Sequence, residues 1–479
     1  MSNNDIRVRI APSPSGNLHV GTARTALFNY LFAKNKGGKF VLRIEDTDAE
    51  RSEEKYVQNI FDSLKAMGLN WDEGPDVGGK YGPYKQSERF DIYKEYADKL
   101  VDSGHAYYCW CTQEELDAEK AAAQEAKRPS VYSGRCKNPT PEQVGEFRSQ
   151  GRKPALRFEV PSKILRFNDL IKGELEFDTS LLGDFVIMKS NGVPTYNFAV
   201  VVDDMEMKIS HVIRGEDHIS NTPRQIMLYE ALGAKIPEFA HVGMILAPDK
   251  TKLSKRHGAT AVSEFIQEGY LTEAFVNFLT FLGWSSPDGK EIMPLEEIIG
   301  KFGLERISPS PAVFEFDKLN WMNGQYIRSM PVAELLERMK PYLAGYDLSA
   351  YSQEDLETII NAVKEPIVKL GEVTDAVSYF FGENISIPDE IREKALNPDE
   401  AKKALAEFLV FAETLAYGDI EKIHEQLGDF REKMKPIKPK QTMWAIRAAL
   451  SGRTHGADLG VLISLLGKDK VVSRIKKAS

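Results

Sequence analysis

The chain of 479 residues is too long for one ordinary domain, and its 42% hydrophobic and 28% charged residues are typical of a globular protein. No stretch reaches eighteen uninterrupted apolar residues, which argues against a signal peptide or a transmembrane helix and favours a cytoplasmic location. Three cysteines in this length argue against a disulfide framework and fit a reducing compartment.

The net charge of −9 is unevenly distributed along the chain. Residues 433–479 contain eleven Lys or Arg and two acidic residues, so this segment carries +9 and the preceding residues carry −18. A basic terminal module on an acidic body is typical of a protein that meets phosphate groups locally. The alternative interpretation is a solvated charged surface.

The first forty-five residues predict a βαβ unit. Residues 6–10 alternate Ile or Val with Arg, as a strand does, and a turn-rich segment follows. A helix is predicted from about Val20 to Asn35, and a second strand at residues 39–44 leads into Glu45-Asp46-Thr47-Asp48. Such a unit indicates a parallel sheet, whose ligand is expected at the carboxyl ends of the strands.

An insertion is predicted over residues 92–194, with a helix at 112–127 and proline-punctuated strands such as 155–160. From Tyr196 the apolar runs indicate a return to the parallel sheet. Buried strands are predicted at 198–202, 211–214 and 239–246. Beyond about residue 260 the pattern is almost wholly helical.

The loop after the first strand, with the sequence PSGNLHVGT at residues 14–22, has features of a phosphate site. Gly16 and Gly21 would let the backbone approach a ligand, and the following helix N-terminus offers unpaired N–H groups. His19 can donate a hydrogen bond to a phosphate oxygen. The loop matches neither the Walker A pattern nor GxGxxG, and the alternative interpretation is a plain βα turn with a surface histidine.

A second loop, KLSKR at residues 252–256, combines three cations with a hydroxyl group. Preorganised cations can follow the charge of a triphosphate as it becomes pyrophosphate. The alternative is a solvated basic loop. The two loops lie about 230 residues apart, and each follows a predicted strand of a parallel sheet, so both can face one ATP.

These two loops carry a family resemblance. APSPSGNLHVG at residues 11–21 resembles the HIGH region of class I aminoacyl-tRNA synthetases, and KLSKR resembles their KMSKS loop. Thr22 stands where the last histidine of HIGH is expected, so the phosphate contact rests on His19 alone.

The surrounding sequence is similar to bacterial glutamyl-tRNA synthetases. The matching segments are LRIEDTD at 42–48, DEGP at 72–75, PYKQSER at 83–89, PTY at 194–196, VIRGED at 212–217 and WMNG at 321–324. The resemblance is strong over about residues 7–330. It is weaker beyond, where RAALSG at 447–452 is the best match.

The resemblance implies an α/β fold built from several domains. A Rossmann-type parallel-sheet catalytic domain is expected in residues 1–91 and 195–251, interrupted by an inserted α+β acceptor-stem-binding domain in 92–194. A stem-contact domain with the KLSKR loop is expected in 252–330. An all-α anticodon-binding region is expected in 331–479, as two subdomains split near residue 385.

The resemblance also implies a glutamate–tRNA ligase. Such an enzyme uses ATP with Mg²⁺ to convert L-glutamate to glutamyl-adenylate and transfers the acyl group to the 3′ end of tRNA-Glu, and a monomer is the expectation. In some relatives an arginine excludes tRNA-Gln, and the corresponding segment here is residues 363–367. That arginine cannot be located in this segment, so tRNA-Gln stays open as a second acceptor. The alternatives are a glutaminyl-tRNA synthetase, which would carry C-terminal β-barrels, and a HIGH-loop nucleotidyltransferase, which is usually short.

Site residues follow from the matched positions. Glu45 is expected to hold the ammonium group of glutamate, and Arg9 and Arg214 its side-chain carboxylate, because a guanidinium can grip a carboxylate bidentately. Ser13 and Tyr196 match hydrogen-bonding positions. For Arg9 the alternative is a solvated strand-face arginine, and for Tyr196 a core aromatic.

The nucleotide positions are His19, Gly21, Asp217, Ile245, Lys252, Ser254 and Lys255, of which His19, Lys252 and Lys255 are the catalytic candidates.

Two further groups of residues are candidate sites. Cys109, Cys111 and Cys136 resemble a zinc knuckle, but the fourth ligand position is Asn138, a poor zinc ligand, so three unliganded thiols are the alternative. Trp444 and Arg447 in the basic segment are candidates for reading RNA bases by stacking and edge hydrogen bonds. A core position is the alternative for Trp444.

Overall fold

The computed structural model describes residues 6–48, 52–127, 131–382 and 385–479. The chain divides into two compact units. The first comprises Met1–Phe265 with Phe275–Glu315, and the second comprises Ile266–Ala274 with Phe316–Ser479. Among the helices of the described ranges, none is both long and apolar enough to cross a membrane. The functional domain boundaries expected from the sequence stay predictions.

Within the described ranges, strands occur in the first unit. They are β1 (Arg7–Ile10), β2 (Lys39–Leu42), β3 (Ala106–Cys109), β4 (Ala155–Phe158), β5 (Ile164–Asp169), β6 (Gly173–Asp178), β7 (Phe185–Met188), β8 (His211–Gly215), β9 (Glu238–Val242), β10 (Ile245–Leu246) and β11 (Ala312–Val313). The helices of this part of the chain are α1 (Val20–Asn35), α2 (Glu54–Ala66), α3 (Phe90–Asp102), α4 (Gln113–Glu125), α5 (Pro141–Ser149), α6 (Tyr196–Glu206), α7 (Thr222–Ala231), α8 (Val262–Gln267), α9 (Thr272–Thr280) and α10 (Leu295–Lys301).

The predicted βαβ unit is confirmed, because β1 pairs in parallel with β2 across α1. The helix begins after His19 and buries Ala23, Leu27 and Leu31. It ends at Asn35, and Gly37 follows with a φ of 66°, the left-handed conformation that closes many helices, while the N–H of Gly38 donates to the carbonyl of Ala33. This geometry places the residues after β1 and β2 at one edge of the sheet.

A second sheet has the strand order β6-β5-β9-β8, with β8 parallel to β9. The hairpin β5–β6 comes from the predicted insertion, and β5 joins β9 in parallel at the pair Asp169 and Phe239. The N–H of Ser210, just before β8, donates to the carbonyl of Arg7 in β1. Strand ends from both halves of the predicted catalytic domain are therefore neighbours. The rest of the insertion contains α4, α5 and the antiparallel sheet β3-β4-β7.

The strand predicted at residues 198–202 is wrong, because this segment belongs to helix α6. Phe198 and the four residues after it are all buried. A short apolar run bounded by turn residues reads equally as a buried strand or as part of a buried helix, and its periodicity does not separate the two. The helix carries Asp203 and Asp204 into the protein interior, where both are almost fully buried.

In the described residues of the second unit the regular secondary structure is helical, as expected from the sequence. Beyond the residues it shares with α8 and α9, its helices are α11 (Phe316–Ser329), α12 (Val332–Met339), α13 (Gln353–Val363), α14 (Val373–Ala376), α15 (Ser378–Phe381), α16 (Asp389–Ala395), α17 (Asp399–Phe411), α18 (Ile420–Lys433), α19 (Pro439–Ser451) and α20 (Leu459–Ala478). One apolar core, which includes Phe408, Phe430 and Ile463, holds them together.

One cation of the basic segment is part of this interior. Arg474 is buried, and its Nη1 donates to the carbonyls of Tyr379 at 2.7 Å and Leu450 at 2.6 Å. Its Nη2 donates to the carbonyl of Gly382 at 2.5 Å. Arg474 therefore joins the ends of two helices to α20, and the positive charge of residues 433–479 is not all available to a partner.

Candidate active site

A cavity of about 580 Å³ lies at the carboxyl ends of β1, β2, β8 and β9. Residues predicted for the site from distant parts of the sequence line it together. They are Arg9, Ser13, His19, Gly21, Glu45, Tyr196, Arg214, Asp217, Ile245 and Lys252. Ser254 and Lys255 do not belong to the lining. A cavity at the carboxyl ends of parallel strands is the usual ligand position in this kind of sheet.

His19 caps the N-terminus of α1 with its ring. Its Nδ1 accepts the N–H of Gly21 at 3.1 Å. Burial and the nearby Lys252 lower the pKa of His19, so the ring is neutral and its proton is on Nε2. A Cβ on Gly21 would contact only His19 Nδ1, at 3.6 Å, so packing within the protein does not require glycine there. The loop thus presents an imidazole N–H, an open backbone and a helix N-terminus to the cavity.

The KLSKR loop keeps two lysines without an ion pair in the described structure. Lys252 reaches the cavity because it bridges Leu246 in an antiparallel pair. Ser254 lies beside His257, with its Oγ 3.1 Å from Nδ1, and Lys255 begins a short 3-10 helix and is exposed. Arg256 is held by Thr251 Oγ1 at 2.8 Å. The loop therefore offers ammonium groups at the cavity edge, and one of them lies outside the lining.

Arg214 is a buried cation whose hydrogen-bond partners are neutral. Its Nε donates to His241 Nε2 at 3.1 Å, and its Nη2 donates to Thr222 Oγ1 at 2.8 Å. Its Nη1 is buried without a hydrogen-bond partner, and in the described parts of the chain Arg214 forms no ion pair. Burial lowers the pKa of Arg214, yet a guanidinium stays charged in proteins. An oriented, uncompensated charge lining a cavity is a site for an anion.

Comparison with known proteins places the chain in a family. The family described as tRNA synthetases class I (E and Q), catalytic domain, matches residues 5–321. The chain belongs to the class I aminoacyl-tRNA synthetases for glutamate and glutamine. A second family, described as an anticodon binding domain, matches residues 334–479 of this synthetase.

Relatives match this synthetase over nearly its whole length. It is 45% identical to a glutamate–tRNA ligase of Carboxydothermus hydrogenoformans over 98% of this chain and 99% of the relative. It is 46% identical to glutamate–tRNA ligase 1 of Caldicellulosiruptor saccharolyticus over 98% of both chains. A crystal structure of a glutamate tRNA ligase from Elizabethkingia meningosepticum in complex with its amino acid superposes with a TM-score of 0.91 at 36% identity, covering 99% of both chains.

A buried charge cluster, which the sequence reasoning missed, holds two predicted residues of the synthetase site. Arg9 Nε lies 3.1 Å from Asp204 Oδ1, and Arg43 Nη1 lies 2.6 Å from the same oxygen. Arg43 Nη2 also lies 3.1 Å from Glu45 Oε1. Burial raises the pKa of Glu45, and the charge of Arg43 opposes that shift. The available signal was a charged residue next to an apolar run: Arg43 follows strand β2, and Asp204 follows a buried segment.

Tyr196 is not a core aromatic, because 38% of it is exposed and it lines the cavity. Its hydroxyl lies 3.1 Å from Nδ1 of His218, a lining residue that the sequence reasoning did not name. Burial and the charge of Arg214 lower the pKa of His218 to about 4, so this ring is neutral at physiological pH. The signal for it was its place directly after the VIRGED segment.

The three cysteines form one cluster. Their sulfur atoms all lie within 4.8 Å of one another, and Cys111 Sγ is 3.5 Å from Cys136 Sγ. The hydroxyl of Tyr132 lies 3.4 Å from Cys109 Sγ and 3.5 Å from Cys111 Sγ, and it accepts the N–H of Cys136. The oxygen group beside the thiols is thus that of Tyr132, four residues before Cys136. It is not Asn138, the position that the spacing of the zinc knuckle predicts.

Trp444 and Arg447 lie on α19 in the second unit. Trp444 is partly buried against the apolar core, and the ammonium of Lys440 lies 4.2 Å from its ring centre. The ring of His455 meets it edge-on at 5.8 Å. Arg447 donates to the carbonyl of Ala457, so it holds the loop after α19. Trp444 therefore combines packing with an exposed, cation-flanked surface, and Arg447 shapes the adjacent loop.

Proposed function

We propose that the protein is a glutamate–tRNA ligase, which activates L-glutamate with ATP and transfers it to the 3′ end of tRNA-Glu. Full-length relatives at 45–46% identity carry that name, which supports the proposal. The observation that carries it is Arg214, a buried guanidinium in the cavity whose hydrogen-bond partners are a neutral imidazole and a hydroxyl. Such a group binds a carboxylate and rejects a neutral amide.

In this proposal Arg214 and Arg9 hold the side-chain carboxylate of glutamate. Glu45 holds the ammonium group, and Ser13 and Tyr196 donate or accept the remaining hydrogen bonds. Glutamine would leave the buried Arg214 charge without a counterion, which costs far more than the small difference in shape between the two amino acids.

The nucleotide lies between the two loops. The N–H groups at the start of α1 and the Nε2–H of His19 bind phosphate oxygens, while Asp217 and Ile245 hold the nucleoside part. The α-carboxylate of glutamate attacks the α-phosphorus of ATP, forming glutamyl-adenylate and releasing pyrophosphate. Lys252 and Lys255, with the Ser254 hydroxyl, stabilise the charge that develops on the leaving group.

The nucleotide step also involves the position of Lys255 and the metal that accompanies ATP. Lys255 lies outside the cavity lining, so its role requires the KLSKR loop to close over the triphosphate. Mg²⁺ accompanies ATP and neutralises its phosphate charge, as in other phosphate-transfer sites. No protein nucleophile is needed, and the chain acts by positioning and by electrostatic stabilisation.

For tRNA, we propose that residues 92–194 and 252–330 meet the acceptor arm and that the helical region 331–479 meets the anticodon. The basic segment after Lys433 supports this, because phosphate contacts provide most of the affinity for RNA. Trp444 is a platform on which a base can stack. Acceptance of tRNA-Gln stays open, and a monomer in the cytoplasm stays the prediction.

For the cysteine cluster, we propose zinc held by Cys109, Cys111 and Cys136. Three sulfur atoms within 4.8 Å of one another fit a tetrahedral zinc site, and the Tyr132 hydroxyl among them is the oxygen available as a fourth ligand. This replaces Asn138 as the candidate for that position. The cluster lies in the inserted region, so zinc would have a structural role there.

The test is aminoacylation with radiolabelled glutamate and glutamine, on tRNA-Glu and tRNA-Gln in parallel. We expect glutamate to be joined to tRNA-Glu and glutamine to neither tRNA. Charging of tRNA-Gln with glutamate would add a second acceptor to the same activity. Charging of tRNA-Gln with glutamine would assign the other amino acid of the family, and no charging with ATP and Mg²⁺ present would refute the proposal.

A further inference from the structure

Arg214 is oriented by a histidine where a buried arginine usually has a carboxylate. Its Nε–H points to His241 Nε2 at 3.1 Å, and His241 is completely buried. Buried arginines are almost always paired with acidic groups, because an isolated charge in the interior is strongly destabilising. His241 therefore orients the guanidinium of Arg214 without neutralising its charge.

The hydrogen bonds around His241 assign its tautomer. A guanidinium has donors only, so Nε2 of His241 carries a lone pair and the ring proton is on Nδ1. Nδ1 lies 2.6 Å from Asp169 Oδ2, which accepts that proton. Burial lowers the pKa of His241, and the bond to Asp169 opposes the shift. The ring is thus neutral, with Asp169 at Nδ1 and with Arg214 and the Thr222 hydroxyl, 3.2 Å away, at Nε2.

Asp169 is itself fully committed as an acceptor. Its Oδ1 accepts the N–H groups of Ile171 at 2.9 Å and Lys172 at 2.8 Å, and the backbone N–H of His241 lies 3.1 Å from Oδ2. Burial raises the pKa of Asp169, but its hydrogen bonds, that from His241 above all, hold the pKa below the ordinary value. The carboxylate is therefore ionised and cannot donate to the ring.

The carboxylate comes from outside the two segments predicted as the catalytic domain. Asp169 ends β5 in the predicted insertion, and His241 lies in β9, which pairs with both β5 and β8. In β8 the partner of His241 is Arg214. The three residues therefore lie in neighbouring strands of one sheet, so their relative positions are set by backbone pairing and not by flexible loops.

We propose that Asp169 and His241 are positioning residues, which aim Arg214 through a neutral acceptor and leave its full charge for the side-chain carboxylate of the amino acid. The inference rests on the proposed function, in which that carboxylate belongs to glutamate. It makes the protonation pattern of His241 a determinant of selectivity. A charged acceptor at position 241 would neutralise Arg214 and weaken the preference for glutamate over glutamine.

The first test compares His241→Gln with His241→Glu. Both variants place an oxygen near the position of Nε2, but only Glu adds a charge. We expect His241→Gln to keep the KM for glutamate within about threefold, and His241→Glu to raise it at least about tenfold, with the KM for ATP unchanged in both. The control is His211→Gln, which replaces another buried histidine of the same sheet outside the cavity lining. Equal effects of Gln and Glu would overturn the proposal.

The second test uses Asp169→Asn and the tautomer itself. Two backbone N–H groups donate to Oδ1, and that of His241 lies 3.2 Å from Oδ1 and 3.1 Å from Oδ2, so the amide oxygen belongs on the Oδ1 side and the NH₂ faces His241 Nδ1. The ring would then accept at Nδ1 and place its proton on Nε2, against Arg214. We expect ¹⁵N spectra of histidine-labelled protein to show an Nδ1–H ring for His241 in the wild type and an Nε2–H ring in the variant. The KM for glutamate should rise at least about tenfold in the variant. An Nε2–H ring in the wild type would overturn the proposal without any variant.

Arg214→Gln separates this inference from the function on which it rests. If Arg214→Gln leaves the KM for glutamate unchanged, the assignment of Arg214 to the glutamate pocket fails. If Arg214→Gln raises that KM strongly while His241→Glu and Asp169→Asn leave it unchanged, the positioning role alone fails. We expect all three variants to raise it.

Discussion

Arg43 and Asp204 form an ion pair in the protein interior, with Nη1 2.6 Å from Oδ1 and both side chains almost fully buried. The same carboxylate accepts the Nε–H of Arg9, and Arg43 continues to Glu45. One aspartate therefore connects Arg9 of β1, through Arg43, with Glu45 after β2, and both Arg9 and Glu45 line the proposed amino-acid pocket.

Asp204→Asn is expected to lower the free energy of unfolding by about 3 kcal/mol or more. The change leaves the buried charges of Arg9 and Arg43 under-compensated, which is much more harmful than removing a whole pair. Urea unfolding measures it. Asp62→Asn on the exposed face of α2, where the described structure pairs the carboxylate with Gln58, should change stability by less than about 0.5 kcal/mol. If Asp204→Asn loses as little stability as this control, then Asp203, whose Oδ2 lies 3.5 Å from Arg43 Nε, and Glu45 balance the cluster without Asp204.

Lys255→Ala is expected to lower the rate of glutamate activation by about two orders of magnitude or more. A preorganised donor to developing charge typically contributes 10²–10³ in rate, roughly the effect expected here. ATP–pyrophosphate exchange with tRNA present measures the rate. Lys250→Ala is the matched control, because Lys250 is an exposed lysine just before the KLSKR loop to which the proposal gives no role. An unchanged rate in Lys255→Ala would remove this residue from the mechanism.

Local sequence determined much of the fold. The alternation in β1, the small and apolar residues of α1 and the glycines after it are local signals, and the structure has these elements with ends within a few residues. The error at 198–202 arose because a segment buried on all sides has no polar face, and only a polar face reveals whether the period is 2 or 3.6.

Those residues of the cavity lining that belong to sequence motifs were predictable. The residues that orient them by hydrogen bonds were not. His241 acts through β-sheet pairing with Arg214, and Asp169 reaches it from an inserted hairpin. Pairing between strands that are distant in sequence leaves no local pattern, so it had to be seen in three dimensions. Tyr132 was also not predictable from local sequence. A turn brings its hydroxyl to the thiols, whereas the family's cysteine spacing predicts a ligand two residues after Cys136.

The stability of the protein should fall as the pH decreases below 6.5, and His241 should account for part of the fall. In the unfolded chain this ring protonates near its ordinary pKa of 6.5, whereas burial lowers the pKa in the folded protein. The unfolded state therefore binds more protons in this range, and each such group removes at most about 1 kcal/mol between pH 6.5 and 5.5. Asp169, whose folded pKa is depressed, adds its own loss only below about pH 4.

Thermal unfolding of the wild type and His241→Gln at pH 7.5, 6.5 and 5.5 isolates this contribution. His19 and His211 also have lowered pKa values, but His241 is not among the causes, so both titrate equally in the two proteins and cancel in the comparison. The wild type should lose more stability than the variant over this range. Parallel curves would mean that His241 titrates alike in the folded and unfolded states.

Purified protein is expected to retain zinc at about one ion per chain after dialysis, because three thiolates and an oxygen complete a tetrahedral site. Cys136→Ser should lose most of the zinc, and Tyr132→Phe should keep it with weaker affinity in competition with a chelator. Asn138→Ala is the control and should bind as the wild type does. Removal of zinc should lower the midpoint of thermal unfolding, since an ion that binds only the folded state stabilises it.

Three thiols that react freely in the untreated wild type, with no zinc in its elemental analysis, would show instead that the cluster is an unliganded one. A further outcome would favour Asn138, the position predicted by the cysteine spacing of the family's zinc knuckle. If Asn138→Ala weakens zinc binding and Tyr132→Phe does not, the fourth ligand is the residue two positions after Cys136. The present geometry argues for the first result, because the Tyr132 hydroxyl already lies 3.4 Å and 3.5 Å from two of the three sulfur atoms.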